Sequence, residues 1–149
     1  MESARKLIAR KCTDTDLVFV HDLSFSNMKE YVDRCWGGWK EELFWKDINK
    51  DSITIIENGE KPVGFFDVVA EGDAMRLRNI QVAQGLQGQG IGKYMMNKVF
   101  EVAQGLKVVK IILRVFVDNP AVSFYKRLGF CTIEKDGDSL IMGKVLIYK

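Results

Sequence analysis

The segment Gln84–Met96, QGLQGQGIGKYMM, places four glycines directly before an apolar, helix-like pattern. A glycine-rich turn that leads into a helix suits anionic oxygens, because the first N–H groups of a helix have no intrahelical acceptor and the helix dipole adds positive potential. Glycine also lets the main chain adopt positive φ close to a phosphate. The segment therefore predicts a phosphate-binding turn, in which Gly85 is interpreted as a turn residue only.

Two familiar phosphate-binding patterns do not fit this segment. A P-loop requires G-x-x-x-x-G-K-[ST], but Gln87 stands where its first glycine belongs and a tyrosine follows Gly92-Lys93. A dinucleotide fingerprint requires G-x-G-x-x-G, whereas Gly88, Gly90 and Gly92 have the spacing G-x-G-x-G. Both mismatches argue against a nucleotide-binding protein.

The elements that position this turn follow from the hydrophobic pattern. Before it, we predict a strand, two helical stretches separated at Gly37-Gly38, and three strands joined at Asn58-Gly59 and Gly72-Asp73. After it, we predict a helix, an apolar strand, a short helix that begins at Asn119-Pro120, and two final strands. The order is β-α-α-β-β-β-α-β-α-β-β. The predicted apolar face of the helix after the turn comprises Ile91, Met95, Val99, Val102, Ala103 and Leu106.

Residues 87–92, of the form [QR]-x-x-G-x-G, follow the strand NIQV and lead a helix. This segment closely resembles the acyl-CoA-binding motif of the GNAT superfamily of N-acetyltransferases. LRVFVDNPAVSFYKRLGF is similar to the family's next strand and helix, in which an asparagine opens the helix and a tyrosine precedes an xRLGF ending. The resemblance is strong over residues 79–130 and looser in the N-terminal third. It implies a small, single-domain, bacterial-type member over residues 1–149, with a mixed α/β fold whose central sheet has about six or seven strands flanked by helices.

The resemblance implies acetyl-CoA as the cosubstrate and no metal. Main-chain groups at the end of the NIQV strand are expected beside the pantetheine arm, and N–H groups of the glycine turn around the pyrophosphate. Asn119 is expected near the pantetheine or the sulfur, and Lys126 near the outer phosphates. The implied cofactor-binding residues are Ile80, Gln81, Val82, Gln87, Gly88, Gln89, Gly90, Ile91, Gly92, Lys93, Asn119 and Lys126.

The resemblance also implies direct transfer of the acetyl group to a primary amine in a ternary complex. Tyr125 is the predicted general acid for the CoA thiolate, because a phenol with a pKa of about 10 stays protonated at neutral pH. An N–H group of Gln81 or Val82 is the predicted oxyanion donor, if the strand separates there from its neighbour. A non-catalytic acyl-CoA-binding module of the same fold is the alternative function.

Arginine occupies two positions at which many relatives carry a glutamate, Arg76 and Arg114. One hypothesis is that either guanidinium binds a carboxylate or phosphate of the acceptor as a bidentate fork. The alternative is that both pair with nearby acidic residues or reach solvent. The general base is left open between a water chain, Glu57, Asp67, Glu71 and no dedicated group.

Aromatic residues are concentrated near the break between the first two helices, in YVDRCWGGWKEELFW. In the family these helices form one wall of the acceptor site, so Tyr31 and Trp36 are candidate substrate-binding residues, with a role in covering the core as the alternative. The single histidine, His21, is predicted to be a surface or hydrogen-bonded residue and not a catalytic one.

The composition bounds the remaining functions. A chain of 149 residues, 47% hydrophobic and 28% charged, suits one soluble domain. The net charge of +2 and the short apolar runs give no reason to expect nucleic acid or a membrane as a partner. The widely spaced Cys12, Cys35 and Cys131 predict buried, reduced thiols in a cytoplasmic protein. The expected partners are acetyl-CoA and an amine acceptor, and a homodimer stays open because dimers are common in the family.

Overall fold

The computed structural model describes residues 6–147, and its elements follow the predicted order. The strands are β1 (Leu7–Lys11), β2 (Ile53–Asn58), β3 (Lys61–Glu71), β4 (Ala74–Val82), β5 (Lys110–Phe116), β6 (Cys131–Asp136) and β7 (Ser139–Val145). The helices are α1 (Leu17–Cys35), α2 (Glu41–Asp47), α3 (Ile91–Leu106) and α4 (Ala121–Arg127). Short 3-10 turns lie at Asp14–Asp16 and Lys50–Ser52.

The strands belong to one seven-stranded sheet with the order β1-β2-β3-β4-β5-β7-β6. β2 pairs antiparallel with both β1 and β3, β4 runs parallel to β5, and β7 pairs antiparallel with both β5 and β6. The mixture of parallel and antiparallel pairs, with four helices among residues 6–147, confirms the predicted mixed α/β fold class.

The described chain divides into two compact units. The first comprises residues 6–67 and 79–98, and the second comprises residues 68–78 and 99–147. β3, β4 and α3 therefore each contribute residues to both units. A single domain over residues 1–149 stays a prediction.

The core of the first unit lies beneath α1. Leu17, Val20 and Leu23 recur at three-residue spacing on this helix, and Val20 and Leu23 are buried. The buried cluster comprises Cys12, Val20, Leu23, Ile53, Ile55 and Phe65, with Leu17, Phe19, Phe44, Ile48 and Ala83 packed against it.

Alternation along the strands builds the buried part of the second unit. Met75 and Leu77 of β4 are buried, as are Ile111, Leu113 and Val115 of β5, while the residues between them are half-buried or exposed. The parallel register sets Met75 against Ile111 and Leu77 against Leu113, so these side chains share one face of the sheet.

Two predictions of burial need correction. On α3, Ile91, Met95, Val99 and Ala103 are buried as predicted, but Val102 is 37% exposed and Leu106 is 54% exposed. Leu106 is the last helical residue, and periodicity alone overstated the burial of both. The second correction concerns the thiols.

All three thiols are free, but they differ in burial. Cys12 is buried, and this burial raises the pKa of its thiol to about 11. Cys35 is half-buried. Cys131 is exposed, contrary to the prediction, because it lies on β6, an edge strand with every residue exposed. None of the four described helices combines the length and apolar character that crossing a membrane requires.

An ion-pair network fixes the start of α1. Asp16 is buried and accepts from Arg10 Nη1 at 2.7 Å and Nη2 at 2.9 Å, and Arg10 Nε donates to Glu57 at 2.8 Å. Asp16 also accepts from the main-chain N–H of Thr13 at 2.8 Å, which caps the turn before the helix. Hydrogen bonds from Arg10 hold the pKa of Asp16 far below its usual range. The network joins β1 and β2 to the beginning of α1.

We expect Asp16→Asn to lower the free energy of unfolding at pH 7 by about 2 kcal/mol, less than for a fully buried pair because a third of the Arg10 side chain reaches water. The lowered pKa means that the wild type holds this stability above the unfolded pKa of about 4 and loses it progressively as the pH falls below that value. Urea unfolding of both proteins at pH 7 and pH 3 should therefore show a smaller difference at pH 3.

The matched control is Asp14→Asn, two residues away. Asp14 pairs with Lys50 at 3.0 Å, but its side chain is 78% exposed, so the substitution should change stability little. Equal losses in the two variants, or a difference between wild type and Asp16→Asn that does not depend on pH, would contradict the role assigned to the network.

Candidate functional site

The predicted phosphate-binding turn connects β4 to α3 in the first unit. Gly88 and Gly90 have φ values of +78° and +88°, in the left-handed region that glycine adopts without strain. A Cβ at Gly88 would meet no atom within 4 Å, so the space beside it is open. Helical bonding begins with the N–H of Tyr94, which donates to the Gly90 carbonyl at 3.0 Å. The N–H groups of Ile91 to Lys93 therefore have no helical acceptor, and the start of α3 suits an anion.

Two glutamine side chains of the turn donate hydrogen bonds to nearby main-chain carbonyls. Gln87 Nε2 donates to the Val82 carbonyl at 3.3 Å, and Gln89 Nε2 donates to the Gly85 carbonyl at 3.2 Å. The Tyr94 hydroxyl donates to the Leu7 carbonyl at 3.2 Å and fastens the first turn of α3 to β1. The tyrosine that breaks the P-loop pattern thus has a structural function here.

The end of β4 presents main-chain groups that the sheet does not use. The parallel register with β5 covers Ala74–Leu77, and β4 continues to Val82. The Ala83 N–H donates to the Val63 carbonyl on β3 at 2.8 Å. Because the C=O and N–H of one trans peptide point in opposite directions, the Val82 carbonyl points away from β3. The printed pairing with β5 ends before these residues, and alternation along the strand turns the Val82 N–H away from β3 and the Gln81 N–H toward it. An oxyanion donor at Gln81 or Val82 stays a prediction.

A chain of side-chain hydrogen bonds connects α1 to this strand end. Asn27 Nδ2 donates to the Val82 carbonyl at 3.0 Å and to Gln81 Oε1 at 3.1 Å. Gln81 Nε2 donates to Asn79 Oδ1 at 2.8 Å, and Asn79 Nδ2 donates to Ser24 Oγ at 3.1 Å. We call these four residues, Ser24, Asn27, Asn79 and Gln81, the amide chain. The amide chain could not be predicted from the sequence, because no local pattern relates the two helical residues to the two strand residues.

Gly64 of β3 is a second feature of the site that was not predicted. A Cβ on Gly64 would lie 2.7 Å from the Gln81 carbonyl oxygen and 3.3 Å from Met95 Sδ. Glycine therefore allows β3, the end of β4 and α3 to approach closely. The signal was present in the sequence, since an isolated glycine in a strand pattern often marks a close approach of the main chain.

The predicted substrate-binding aromatics lie on α1 and just after it, in the first unit. Tyr31 is half-buried, with the Arg34 guanidinium 5.4 Å from its ring centroid, and Trp36 is 54% exposed. The other aromatics of the segment pack elsewhere. They pack around His21, whose ring centroid lies 5.1 Å from those of Phe44 and Trp45.

His21 is hydrogen-bonded on both ring nitrogens, as the sequence predicted. Nδ1 lies 2.9 Å from Asp22 and Nε2 lies 2.7 Å from Glu41, which also accepts from Trp39 Nε1 at 2.8 Å. Burial lowers the pKa of His21, but the hydrogen bonds to Asp22 and Glu41 outweigh that effect and raise the pKa above its usual value. This arrangement ties α1 to α2.

In the second unit, Asn119 and Tyr125 stand at the two ends of one short helix. Asn119 Oδ1 accepts from the N–H of Ala121, the first residue of α4, at 2.9 Å. Tyr125 is buried, its ring centroid lies 5.7 Å from that of Phe130, and burial raises the pKa of its phenol above the usual value. Lys126 is exposed.

Both unusual arginines also lie in the second unit, and each has a carboxylate partner. Arg76 donates to Glu71 from Nε at 2.9 Å and from Nη2 at 3.1 Å, and Arg114 Nη1 lies 3.0 Å from Asp136. The structure therefore contains the ion pairs that the sequence left open as an alternative. Binding of an acidic acceptor by either arginine stays a prediction.

The candidate bases are also engaged. Glu57 accepts from Arg10 at 2.8 Å in the first unit, and Asp67 accepts from Ser52 Oγ at 2.6 Å. Glu71 is the partner of Arg76 in the second unit. These contacts do not identify any of the three carboxylates as the general base.

We expect Gly88→Ala and Gly85→Ala to destabilise the fold equally, because both glycines have positive φ, at +78° and +83°, and open space around them. The cost should be about 1 kcal/mol for each. Only Gly88 belongs to the predicted pyrophosphate turn, so acetyl-CoA affinity should fall roughly tenfold or more for Gly88→Ala and little for Gly85→Ala. Isothermal calorimetry measures the acetyl-CoA affinity, and urea unfolding measures the stability. Equal changes in affinity for the two variants would contradict the assignment of Gly88, and not Gly85, to the pyrophosphate turn.

We expect Gly64→Ala to displace the end of β4 at Gln81, because the atom nearest to the added methyl group would be a main-chain oxygen, which yields less readily than the Met95 side chain beside it. The unfolding free energy should fall by about 2 kcal/mol. The control is Gly105→Ala on α3, where a Cβ meets nothing within 4 Å and alanine should stabilise the helix slightly. A Gly64→Ala protein as stable as the wild type in urea would contradict the close approach.

Comparisons with known proteins identify the family of the chain. Residues 49–132 match the family model of the acetyltransferase (GNAT) domain. An uncharacterized N-acetyltransferase of Methanocaldococcus jannaschii is 32% identical over 110 residues, which cover 67% of this chain and 47% of the relative. The chain thus spans about half the length of that curated relative.

Solved structures share the fold. The PaiA N-acetyltransferase from Thermoplasma acidophilum, in complex with coenzyme A, has a TM-score of 0.78 at 17% identity and covers 95% of this chain and 99% of its own. The ribosomal-protein-S18-alanine N-acetyltransferase from Escherichia coli has a TM-score of 0.74 at 20% identity, over 97% of this chain and 96% of its own. The family match, which extends over more than half of the sequence, shows that this chain belongs to the GNAT acetyltransferase family.

Proposed function

We propose that this chain is an acyl-CoA-dependent N-acetyltransferase that moves an acetyl group from acetyl-CoA to a primary amine. The observation that carries the proposal is the turn after β4, where Gly88 and Gly90 hold positive φ and the N–H groups of Ile91 to Lys93 have no helical acceptor. Membership of the GNAT family and the coenzyme A in the PaiA structure support the same cosubstrate.

The proposed cofactor contacts follow the chemistry of each segment. Ile80, Gln81 and Val82 offer main-chain groups to the amides of the pantetheine arm, in the manner of an added strand. The turn from Gln87 to Lys93 receives the pyrophosphate. Asn119 and Lys126 are proposed to contact the pantetheine and the outer phosphates.

The proposed chemistry is direct transfer in a ternary complex. The neutral amine attacks the thioester carbonyl carbon, and an N–H of Gln81 or Val82 stabilises the oxyanion. As the C–S bond breaks, Tyr125 donates its phenolic proton to the departing thiolate. The buried environment that raises the pKa of Tyr125 supports this role, because it keeps the proton on the phenol throughout the neutral range. The proton lost by the attacking nitrogen passes to water or to a base not yet assigned.

The proposed acceptor site includes Tyr31 and Trp36. The exposed indole of Trp36 offers an apolar surface to the substrate, which supports this role. The engagement of Glu57, Asp67 and Glu71 favours a substrate amine that enters neutral or loses its proton to water.

The engaged carboxylates also favour the second candidate, an acyl-CoA-binding module without catalysis. The two candidates share the cofactor site and differ in turnover. Binding of acetyl-CoA alone therefore does not separate them, whereas amine-dependent release of CoA does.

The test is a thiol-release assay with acetyl-CoA and a panel of primary amines, comparing the wild type with Tyr125→Phe. We expect amine-dependent CoA release by the wild type and a kcat about a hundredfold lower for Tyr125→Phe. Because the tyrosine pKa is raised, loss of this proton should not reduce the wild-type kcat between pH 7 and pH 10.

Calorimetry provides the control for this substitution. Removing one hydroxyl should leave the affinity for acetyl-CoA within about threefold of the wild type. Full activity of Tyr125→Phe would show that the acid is another group. Tight acetyl-CoA binding with no CoA release for any amine would support the binding module instead.

A further inference from the structure

The Val82 carbonyl determines the orientation of the Asn27 side chain. A carbonyl oxygen can only accept a hydrogen bond, so the Asn27 atom 3.0 Å away must be Nδ2. Its second bond, to Gln81 Oε1 at 3.1 Å, uses the other proton of the same nitrogen. Asn27 Oδ1 is left as an acceptor that receives no hydrogen bond from the residues that the structure describes.

The rest of the amide chain follows from this orientation. Gln81 turns its oxygen to Asn27, so its nitrogen faces Asn79, whose own nitrogen then faces Ser24. Ser24 is 2% exposed, which anchors the far end of the chain inside the first unit. One main-chain carbonyl therefore sets the direction of three side-chain amides.

Asn27 is also placed beside the proposed acceptor site. Ser24, Asn27 and Tyr31 follow one another at spacings of three and four residues on α1, so they lie on one face of the helix. The same face contacts the end of β4 through Asn27, at the strand end proposed to hold the thioester. Asn27 thus lies one helical turn from a proposed substrate-binding tyrosine and contacts the proposed oxyanion strand.

We propose that Asn27 Oδ1 binds the acceptor amine and that Asn27 is a specificity-determining residue of the reaction. The inference rests on the proposed function. The substrate group it selects is a hydrogen-bond donor, a primary amine, because the side chain has no donor left to offer. Accepting one amine N–H leaves the nitrogen lone pair available for the thioester carbonyl. The bond strengthens as the nitrogen becomes positively charged during attack.

The experiment compares wild type, Asn27→Ala, Asn27→Asp and Ser26→Ala. The probe is whichever of n-butylamine, spermidine, L-lysine and L-alanine amide the wild type acetylates fastest. We expect Asn27→Ala to raise the KM of that amine about tenfold, the effect of one lost hydrogen bond. Its acetyl-CoA Kd should stay within about threefold, because Gln87 still donates to the Val82 carbonyl.

The aspartate variant separates contact with the amine from a purely structural role. Asn27→Asp keeps an oxygen for the amine but turns a carboxylate toward the Val82 carbonyl. If Asn27 binds the amine, Asn27→Asp should recover most of the wild-type KM. Ser26 is exposed on the same helix, its hydroxyl bonds to no described residue, and Ser26→Ala should match the wild type.

Three results would overturn the inference. An unchanged amine KM in Asn27→Ala would show that Oδ1 does not touch the substrate. A KM for Asn27→Asp as high as that of Asn27→Ala, or higher, would mean that Asn27 acts only by holding β4. A wild-type protein that binds acetyl-CoA but acetylates none of the four amines would contradict the proposed function itself, and the inference with it.

Discussion

The peptide group between Val82 and Ala83 is the constraint on which the candidate site depends. Its N–H bonds to β3, so its carbonyl must point away from that strand and needs donors of its own. Two side chains from different parts of the chain supply them, Asn27 from α1 and Gln87 from the glycine turn. A single acceptor therefore joins the strand end, the helix that precedes it in the chain and the turn that follows it.

The position of α1 makes this convergence possible, and it is fixed at the start of the helix. The Arg10, Asp16 and Glu57 network binds the first turn of the helix to β1 and β2. Gly64 performs the corresponding function in the sheet, because any larger residue would push against the Gln81 carbonyl. Charge pairing and close packing thus hold the two sides of the amide chain in place.

Periodicity and turn chemistry predicted the order of the elements, since both depend on neighbours a few residues apart. The breaks at Gly37 and Gly38 and the start of α3 after the glycine turn were predicted for this reason. The burial of residues at the margins of the fold was not predicted correctly. Cys131 is exposed because its strand lies at the edge of the sheet. The order of strands in a sheet cannot be predicted from any local sequence pattern.

The sequence by itself determined the family, through the spacing of the glycines and the segment that contains Asn119 and Tyr125. Those signals are local, because one turn and one helix need specific residues in a fixed order. Only the tertiary structure decided that Asn27 meets Gln81 and Val82, which stand 54 and 55 residues further along the chain. Hydrogen bonds at that separation form only after α1 has packed on the strand end, so the direction of the amide chain and its one free acceptor are properties of the folded chain.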